Sequence, residues 1–525
     1  MSNEPDVARR RILAAGVGAS ALFLPGPFAH VWAQSDGTVK LLRVPKVALI
    51  MGNSRYKESP LKNPANDASA IGESLKSLGF EVTVKLDADK AGMEAAVRAY
   101  VQALAARKCV GLFYYAGHGV QLAWRNYMLP VDADIDTIGD IPKQCVEVNG
   151  LLEGLNKASN PLNVIILDAC RDNPFGHLKG VDQKGLSQMD APNNTILAYA
   201  TAPGNVASDG AGANGLYTEN LLREMKVPDA KIEDVFKRVR LGVRRKSEGQ
   251  QIPWESTSLE DDFYFRPPAQ LTKLSENERK RLFEEELAIW ERIKASTAPG
   301  PLEDFLRRYP SGEFSELAQF QLDRVLSKLG EKKVEVVSSA ANPFSKGSAN
   351  ANTNYKVGDS YTYSLMDYYS KSERQRITQT IASITDSEIL YDDGFVTDLL
   401  GNALLSGQTQ TRWTSNQELP QEYVVGKQWT SRYNGQNPRA GLITNEVDLR
   451  IVARERITVP AGSFNAFRIR ITGLSHSASG SGRLESTIWM SPGDLRRWVA
   501  RENLLSGPRG PVSSGRQELA AFSEK

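Results

Sequence analysis

Cysteine and histidine are scarce in this chain, and their scarcity narrows its chemistry. Only three cysteines and four histidines occur in 525 residues. Cys109, Cys145 and Cys170 lack CxxC spacing, which argues against a zinc cage and against a disulfide framework, and an odd number leaves at least one thiol free. Excess charge is missing too: a net +2 gives no basis for binding nucleic acid or an anionic membrane surface. The apolar stretch 12–24 contains Gly16 and Gly18 and is short of the ~20 residues that a membrane span needs. At 525 residues the chain is too long for one ordinary core, so two or three domains are expected.

The N-terminus is strongly patterned. Arg9, Arg10 and Arg11 precede the apolar stretch, and HVWAQS (30–35) puts small residues at Val31 and Ala33 ahead of Gln34. This order predicts an export signal over 1–33 with cleavage after Ala33, by a twin-arginine-like route (ARRRIL) or as an ordinary secretory signal. Either route predicts a periplasmic or secreted bacterial protein with no stable membrane span. No cysteine stands at the cleavage site to carry a lipid.

From residue 45 to 267 short apolar runs alternate with amphipathic helical patterns, which predicts an α/β domain with a mainly parallel sheet flanked by helices. Strands are expected at 46–51, 80–86, 110–115, 163–168 and 196–201, with 262–265 closing the sheet. Helices are expected at 66–78, 91–106, 147–157, 216–225 and 232–246, the first capped near Asn66 or Asp67. Just past two of these strands stand His118, in YYAGHG (114–119), and Cys170, in IILDACRDNPF (165–175). Ligands and catalysis concentrate at the carboxyl edge of a parallel sheet, and a thiol needs a nearby base to become a nucleophile at neutral pH. Cysteine hydrolase chemistry is the expectation. A cysteine after a buried strand is also compatible with an inert core residue, and His177 is a competing base.

The runs VALIMGNSRY (47–56), LKNPANDA (61–68), YYAGHG, YMLPVDA (127–133), LDACRDNPF (167–175) and LAYATAPG (197–204) follow one another in an order that resembles the caspase-like cysteine peptidases. That group contains caspases, metacaspases and paracaspases, and the resemblance is nearest to its bacterial paracaspase-like branch. It implies a peptidase with His118 as base and Cys170 as nucleophile, acting through a thioester acyl-enzyme. The amides of Gly119 and Cys170 are plausible oxyanion donors, and Gly117 and Gly119 leave room for a substrate carbonyl.

Strand alternation puts Asp168 on the same face as Cys170. A carboxylate beside a thiol raises the thiol pKa, an arrangement that makes sense if a substrate cation neutralises it. The resemblance implies that Asp168 helps bind an arginine or lysine on the amino side of the scissile bond. It adds Asp67, from LKNPANDA, and Asp209, after LAYATAPG, as further acids of a basic-specific pocket. A helix cap is the alternative for Asp67, and a solvated loop charge the alternative for Asp209.

No cofactor is expected. The run VDADIDTIGD (131–140) holds four aspartates but lacks the glycine and terminal glutamate of an EF-hand, so a solvated acidic loop is favoured over calcium activation, and no metal site is assigned. The interval 177–190, with Lys179 and Lys184, lies where caspase relatives are often processed. Beyond it, 271–330 reads as an α-helical extension, 331–353 as a linker that is flexible over its Ser/Ala/Asn-rich part 338–353, and 354–525 as an all-β domain, a meandering sheet or small barrel. This β-domain resembles one of unknown role on bacterial envelope proteins, with an envelope partner or a structural lid as its readings.

Three functions follow. The first is an exported cysteine endopeptidase cleaving peptides or proteins after Arg or Lys. The second is a catalytically silent caspase-like scaffold acting through its C-terminal extensions. The third is a cysteine hydrolase of a non-peptide acyl bond.

Overall fold

The computed structural model describes residues 34–170, 178, 185–203, 205, 212–269, 274–331, 336, 339, 341–370, 372–508 and 510–525. The expected export signal, His177, Lys179, Lys184 and Asp209 lie outside the described residues. The α/β part runs α1 (Gln34–Arg43), β1 (Lys46–Gly52), α2 (Pro64–Ser77), β2 (Glu81–Leu86), α3 (Lys90–Arg107), β3 (Val110–Leu122), β4 (Arg125–Met128), α4 (Ile141–Gln144), β5 (Val146–Glu147), α5 (Val148–Ala158), β6 (Leu162–Cys170), β7 (Thr195–Tyr199), α6 (Leu216–Glu224), α7 (Ile232–Lys246) and β8 (Trp254–Thr257).

The main sheet has the order β2-β1-β3-β6-β7-β8, parallel except for β8, which pairs antiparallel with β7. Its central strands are almost continuously apolar because helices cover both faces. Ala48, Leu112 and Val164 pack with residues of α2, α6 and α7, while Leu49, Phe113 and Ile165 pack with residues of α3 and α5. That alternation is the two-residue period of a strand written into one core on each side of the sheet.

Four expectations need correction. Both β3 and β6 run further than expected, so His118 lies within a strand and Cys170 ends one. The cause is a change of partner: β3 is parallel to β6 up to His118, and from Gly119 it pairs antiparallel with β4. Segment 262–265 does not close the sheet. β8 does so, Tyr264 makes a single bridge to Lys231, and Phe263 and Phe265 are buried in the core. Helix α2 starts at Pro64 with Asn63 as its cap, not at Asn66 or Asp67, because proline's fixed φ and missing N–H suit a first helical turn.

The fourth correction is the flexible stretch of 338–353. Asn342 Nδ2 donates to the Gln188 carbonyl (2.8 Å) and Ser345 Oγ to Asp190 Oδ1 (2.8 Å). The Asp190 amide donates to the Phe344 carbonyl (2.9 Å). β9 (Ser348–Asn350) then pairs with strand Glu422–Val424. The same short polar side chains that predict flexibility can also bond neighbouring backbone, and here a partner segment lies within reach.

The helical extension consists of α8 (Glu276–Ile293), α9 (Pro299–Arg308) and α10 (Ser315–Lys328) around Trp290, Phe305 and Phe314. α8 opens with a capping box between Ser275 and Glu278. The all-β part is a closed barrel of twelve strands between Ser360 and Ser523, and closure removes the open edges that an isolated sheet would expose. The barrel docks on the α/β part. Trp254 Nε1 donates to Glu422 Oε1 (3.2 Å), Gln428 Nε2 donates to the Leu259 carbonyl (2.6 Å), and Arg240 bridges Glu255 (2.9 Å) and Glu422 (3.7 Å). At Gly426, with φ +98°, a Cβ would lie 2.2 Å from the Thr257 carbonyl oxygen, so glycine allows this close approach.

Two carboxyls of the extension make its packing pH-sensitive. Burial, with the Glu313 charge second, pushes Glu286 up to about 7, and burial pushes Glu313 up to about 7. The folded chain therefore holds more protons than the unfolded chain between pH 4.5, the ordinary glutamate value, and about 7, so stability falls as pH rises through that window. Amide protection in α8 and α9, taken relative to the base-catalysed intrinsic exchange rate, is expected to be lower at pH 8 than at pH 5. Glu286→Gln keeps an acceptor for the Phe314 amide (3.1 Å) and is expected to reduce that difference; an unchanged pH dependence would rule Glu286 out as its cause.

Candidate functional site

The carboxyl ends of β1, β3 and β6 lie side by side, and a buried asparagine ties the end of β1 to its neighbours. Asn53, fully buried after β1, donates from Nδ2 to the Leu129 carbonyl (2.9 Å) and accepts the Ala88 amide (3.0 Å), while its own amide donates to the Ala116 carbonyl (3.0 Å). In the parallel ladder between β3 and β6, His118 is the register partner of Cys170. The two backbone positions are neighbours across one ladder step, about 4.8 Å in a sheet.

The histidine is held on several sides. Its amide donates to Tyr56 Oη (2.9 Å), its carbonyl accepts from Tyr115 Oη (2.7 Å), and its ring packs against the Tyr56 ring with centroids 4.5 Å apart. Nε2 lies 2.7 Å from the Ser59 carbonyl oxygen. A carbonyl only accepts, so this contact assigns the proton to Nε2 and makes Nδ1 the basic nitrogen. Ser59 has φ +55°, a left-handed conformation uncommon for a residue with a side chain, and strain of this kind collects at functional sites.

The two glycines that flank His118 act differently from one another. Gly117 has φ +151°, and a Cβ there would lie 2.5 Å from Tyr56 Oη. Gly119 has no such φ. Its need is space, since a Cβ would lie 2.9 Å from the Ala169 Cβ and 3.0 Å from Leu186. Leu186 belongs to a segment fixed from both sides, for the amide of Ser187 donates to Asn126 Oδ1 (2.7 Å) and Gln188 and Asp190 carry the contacts to 342–345.

The other cysteines are unsuited to nucleophilic work. Cys109 and Cys145 are buried free thiols; burial raises the first and pushes the second up to about 12, which leaves Cys145 protonated at neutral pH. Among the described histidines, His476 lies on a barrel strand with Nδ1 2.7 Å from Ser481 Oγ, outside the sheet edge that holds His118.

Two of the three candidate acids converge beside this edge. Asp168 Oδ2 accepts from Tyr114 Oη (3.0 Å) and Thr218 Oγ1 (2.7 Å). Asp67 is buried in the first turn of α2, and its Oδ1 accepts from the Gly215 amide (2.9 Å) and Asn214 Nδ2 (2.8 Å). It therefore ties α2 to the start of α6 and does not cap its own helix. Burial first, then the charges of Asp168 and Asp67, push the Tyr114 phenol well above its ordinary range, which marks both carboxylates as neighbours of one hydroxyl. Asp209, the third acid, lies outside the described residues.

Of the four aspartates of 131–140, one bonds the start of α3 and one bonds within its own turn. Asp132 Oδ1 accepts the Lys90 amide (3.0 Å), and Asp140 accepts from the Thr137 amide (3.0 Å) and hydroxyl (2.7 Å), which hold its carboxyl below the ordinary value. Among the described residues no group of three or more His, Cys, Asp or Glu could hold a metal.

Tyr56, Ser59, Tyr114 and Thr218 were given no role from the sequence. Tyr56 and Tyr114 stand inside matched runs, where their conspicuous aromatic hydroxyls were the available signal. Ser59 and Thr218 act through a carbonyl and through a contact 50 positions from Asp168, and neither leaves a sequence mark. Tyr56→Phe removes the acceptor of the His118 amide. It is expected to lower any turnover that depends on His118 by about tenfold, the ~1.4 kcal/mol of one lost buried hydrogen bond, with the fold kept. Unchanged rates would show that Tyr56 does not position the histidine.

Residues 45–264 match the family described as the caspase domain. Over 237 residues, 44% of this chain and 28% of the relative, the chain is 30% identical to human (Homo sapiens) mucosa-associated lymphoid tissue lymphoma translocation protein 1. Its mouse (Mus musculus) homolog is 30% identical over 232 residues, 43% of this chain and 27% of the relative. The chain thus spans little more than a quarter of the length of these curated relatives.

Proposed function

We propose, from the match of residues 45–264 to the caspase domain, that the chain is an exported cysteine endopeptidase cleaving peptides and proteins after arginine or lysine. The observation that carries the reading is the register pairing of His118 with Cys170, together with the Ser59 carbonyl that makes Nδ1 of His118 the basic nitrogen. Nδ1 takes the thiol proton of Cys170, and the sulfur attacks the carbonyl carbon of the scissile bond. Amides of Gly119 and Cys170 stabilise the oxyanion. The tetrahedral species collapses by breaking the C–N bond, His118 protonates the leaving amine, and a thioester remains. Water then adds, giving a proton to His118, and the acid product leaves as Cys170 takes the proton back. No cofactor enters these steps.

Specificity for a basic residue is supported by the carboxylates of Asp168 and Asp67, which share Tyr114 as a neighbour. An arginine fork presents its N–H donors in a planar array that suits such carboxylates better than the point charge of an ammonium. The patterned segment 1–33 supports export to the periplasm or beyond.

The test uses protein lacking residues 1–33 and fluorogenic peptides ending in Arg, Lys or Asp, with and without a chelator. Arginyl and lysyl peptides are expected to turn over, aspartyl peptides to stay intact, and EDTA to leave the rates unchanged. Preference for aspartate would sink the acidic pocket. Loss of turnover in EDTA, restored by calcium, would show that a cation is needed after all. Silence on all peptides would favour a scaffold acting through its extensions.

A further inference from the structure

The barrel holds a cavity that peptide cleavage does not use. Its volume is about 310 Å³, at the lower end of the ~300–1,000 Å³ range of small-molecule sites. Tyr363 and Leu365, Ile377 and Gln379, and Arg501 and Asn503 all line it, each pair two apart on one strand. Residues two apart share a strand face, and these strands lie across the barrel from those of Trp413 and Tyr433, so the cavity is in the barrel interior.

Aromatic rings stand on opposite walls. Trp413 and Tyr433 meet edge to face with centroids 5.5 Å apart, and Tyr363 and Trp498 stack at 5.4 Å. Trp413 faces Gly435 in the strand register, where a Cβ would lie 2.3 Å from its ring, so glycine lets the indole lie against the backbone. Polar groups fill the space between the rings. Glu418 accepts from Arg501 Nη2 (3.1 Å) and from the Tyr433 hydroxyl, and Arg501 Nε donates to Asn503 Oδ1 (3.1 Å). Gln379 donates to Asp393 Oδ2 (2.7 Å) and accepts from the buried Arg497 (2.9 Å). The buried indole N–H of Trp498 has no hydrogen-bond partner among the described residues, and such a group calls for an acceptor.

We propose that this cavity binds a small carbohydrate of one or two rings. A sugar offers polarised C–H faces to the negative faces of aromatic rings, and a rim of hydroxyls that both donate and accept. The lining matches both features. A wholly apolar ligand would cover Glu418, Arg501 and Asn503 without replacing their water, which is costly. A cation would sit beside Arg501, and an anion beside Glu418 and Asp393, so a neutral polar ring fits best.

The test is titration of the full chain with glucose, N-acetylglucosamine, cellobiose and di-N-acetylchitobiose up to about 50 mM, read by tryptophan fluorescence and ligand-observed NMR. Saturable binding of at least one sugar is expected. It should weaken at least about tenfold in Trp413→Ala and about threefold in Gln517→Leu, which removes an amide from the cavity wall at nearly constant side-chain volume. No saturable binding, or binding that both variants leave unchanged, would overturn the proposal. So would binding of a fatty acid or a quaternary amine in place of the sugars. Peptidase rates are measured separately, so failure of one reading leaves the other standing.

Discussion

Replacing Cys170 by alanine is expected to reduce turnover of arginyl peptides to the background rate, and His118→Ala to reduce kcat/KM by about 10³-fold or more, ~4 kcal/mol of transition-state stabilisation. The two positions pair in one ladder, so either change removes half of a unit, and the double variant is expected to be no slower than Cys170→Ala. The thiols that remain cannot substitute, because Cys145 is pushed up to about 12 and Cys109 is buried and raised. Circular dichroism and thermal melting of each variant separate lost chemistry from lost fold. Retention of half the wild-type rate in Cys170→Ala would rule out the assigned nucleophile.

Asp168→Asn should have the second largest effect. The carboxylate accepts from Tyr114 and Thr218 in the free protein, and asparagine's carbonyl can still take one of these bonds, so the fold should hold. On the proposed specificity, what is lost is the charge that would meet the substrate guanidinium. Removing one partner of a largely desolvated charge pair costs ~2–5 kcal/mol, so kcat/KM for arginyl peptides is expected to fall by about 30-fold or more. Thr218→Val removes one donor and keeps the charge, and a loss of only about threefold is expected. Equal losses in the two variants, or no loss in Asp168→Asn, would show that Asp168 serves the fold and not the substrate.

The parts most legible in the sequence were those with a short period or a local motif. KVALIM reads as a strand, which the structure buries on both faces because helices cover it, and the amphipathic pattern of 271–330 reads as helical, where α8 begins at Glu276. Boundaries were harder where a strand changes partner. The run past Tyr115 looks like a glycine turn, yet β3 continues to Leu122 because β4 folds back to supply new ladder bonds. Composition misled at 338–353, where a polar, small-residue stretch met a backbone to bond.

By itself the sequence determined the order of β1, β2, β3, β6 and β7 with helices α2, α3, α5, α6 and α7, the presence of few candidate nucleophiles and bases, and the apolar alternation of the β-domain, because each is a property of neighbouring residues. Only the tertiary structure decided which nitrogen of His118 is basic, since that depends on a carbonyl at Ser59. It also decided that Asp67 joins α2 to α6, that Asp168 meets Thr218, and that twelve strands close around a cavity. These are contacts between residues far apart in the chain, fixed by how sheets and helices pack, and no local pattern encodes such a partner.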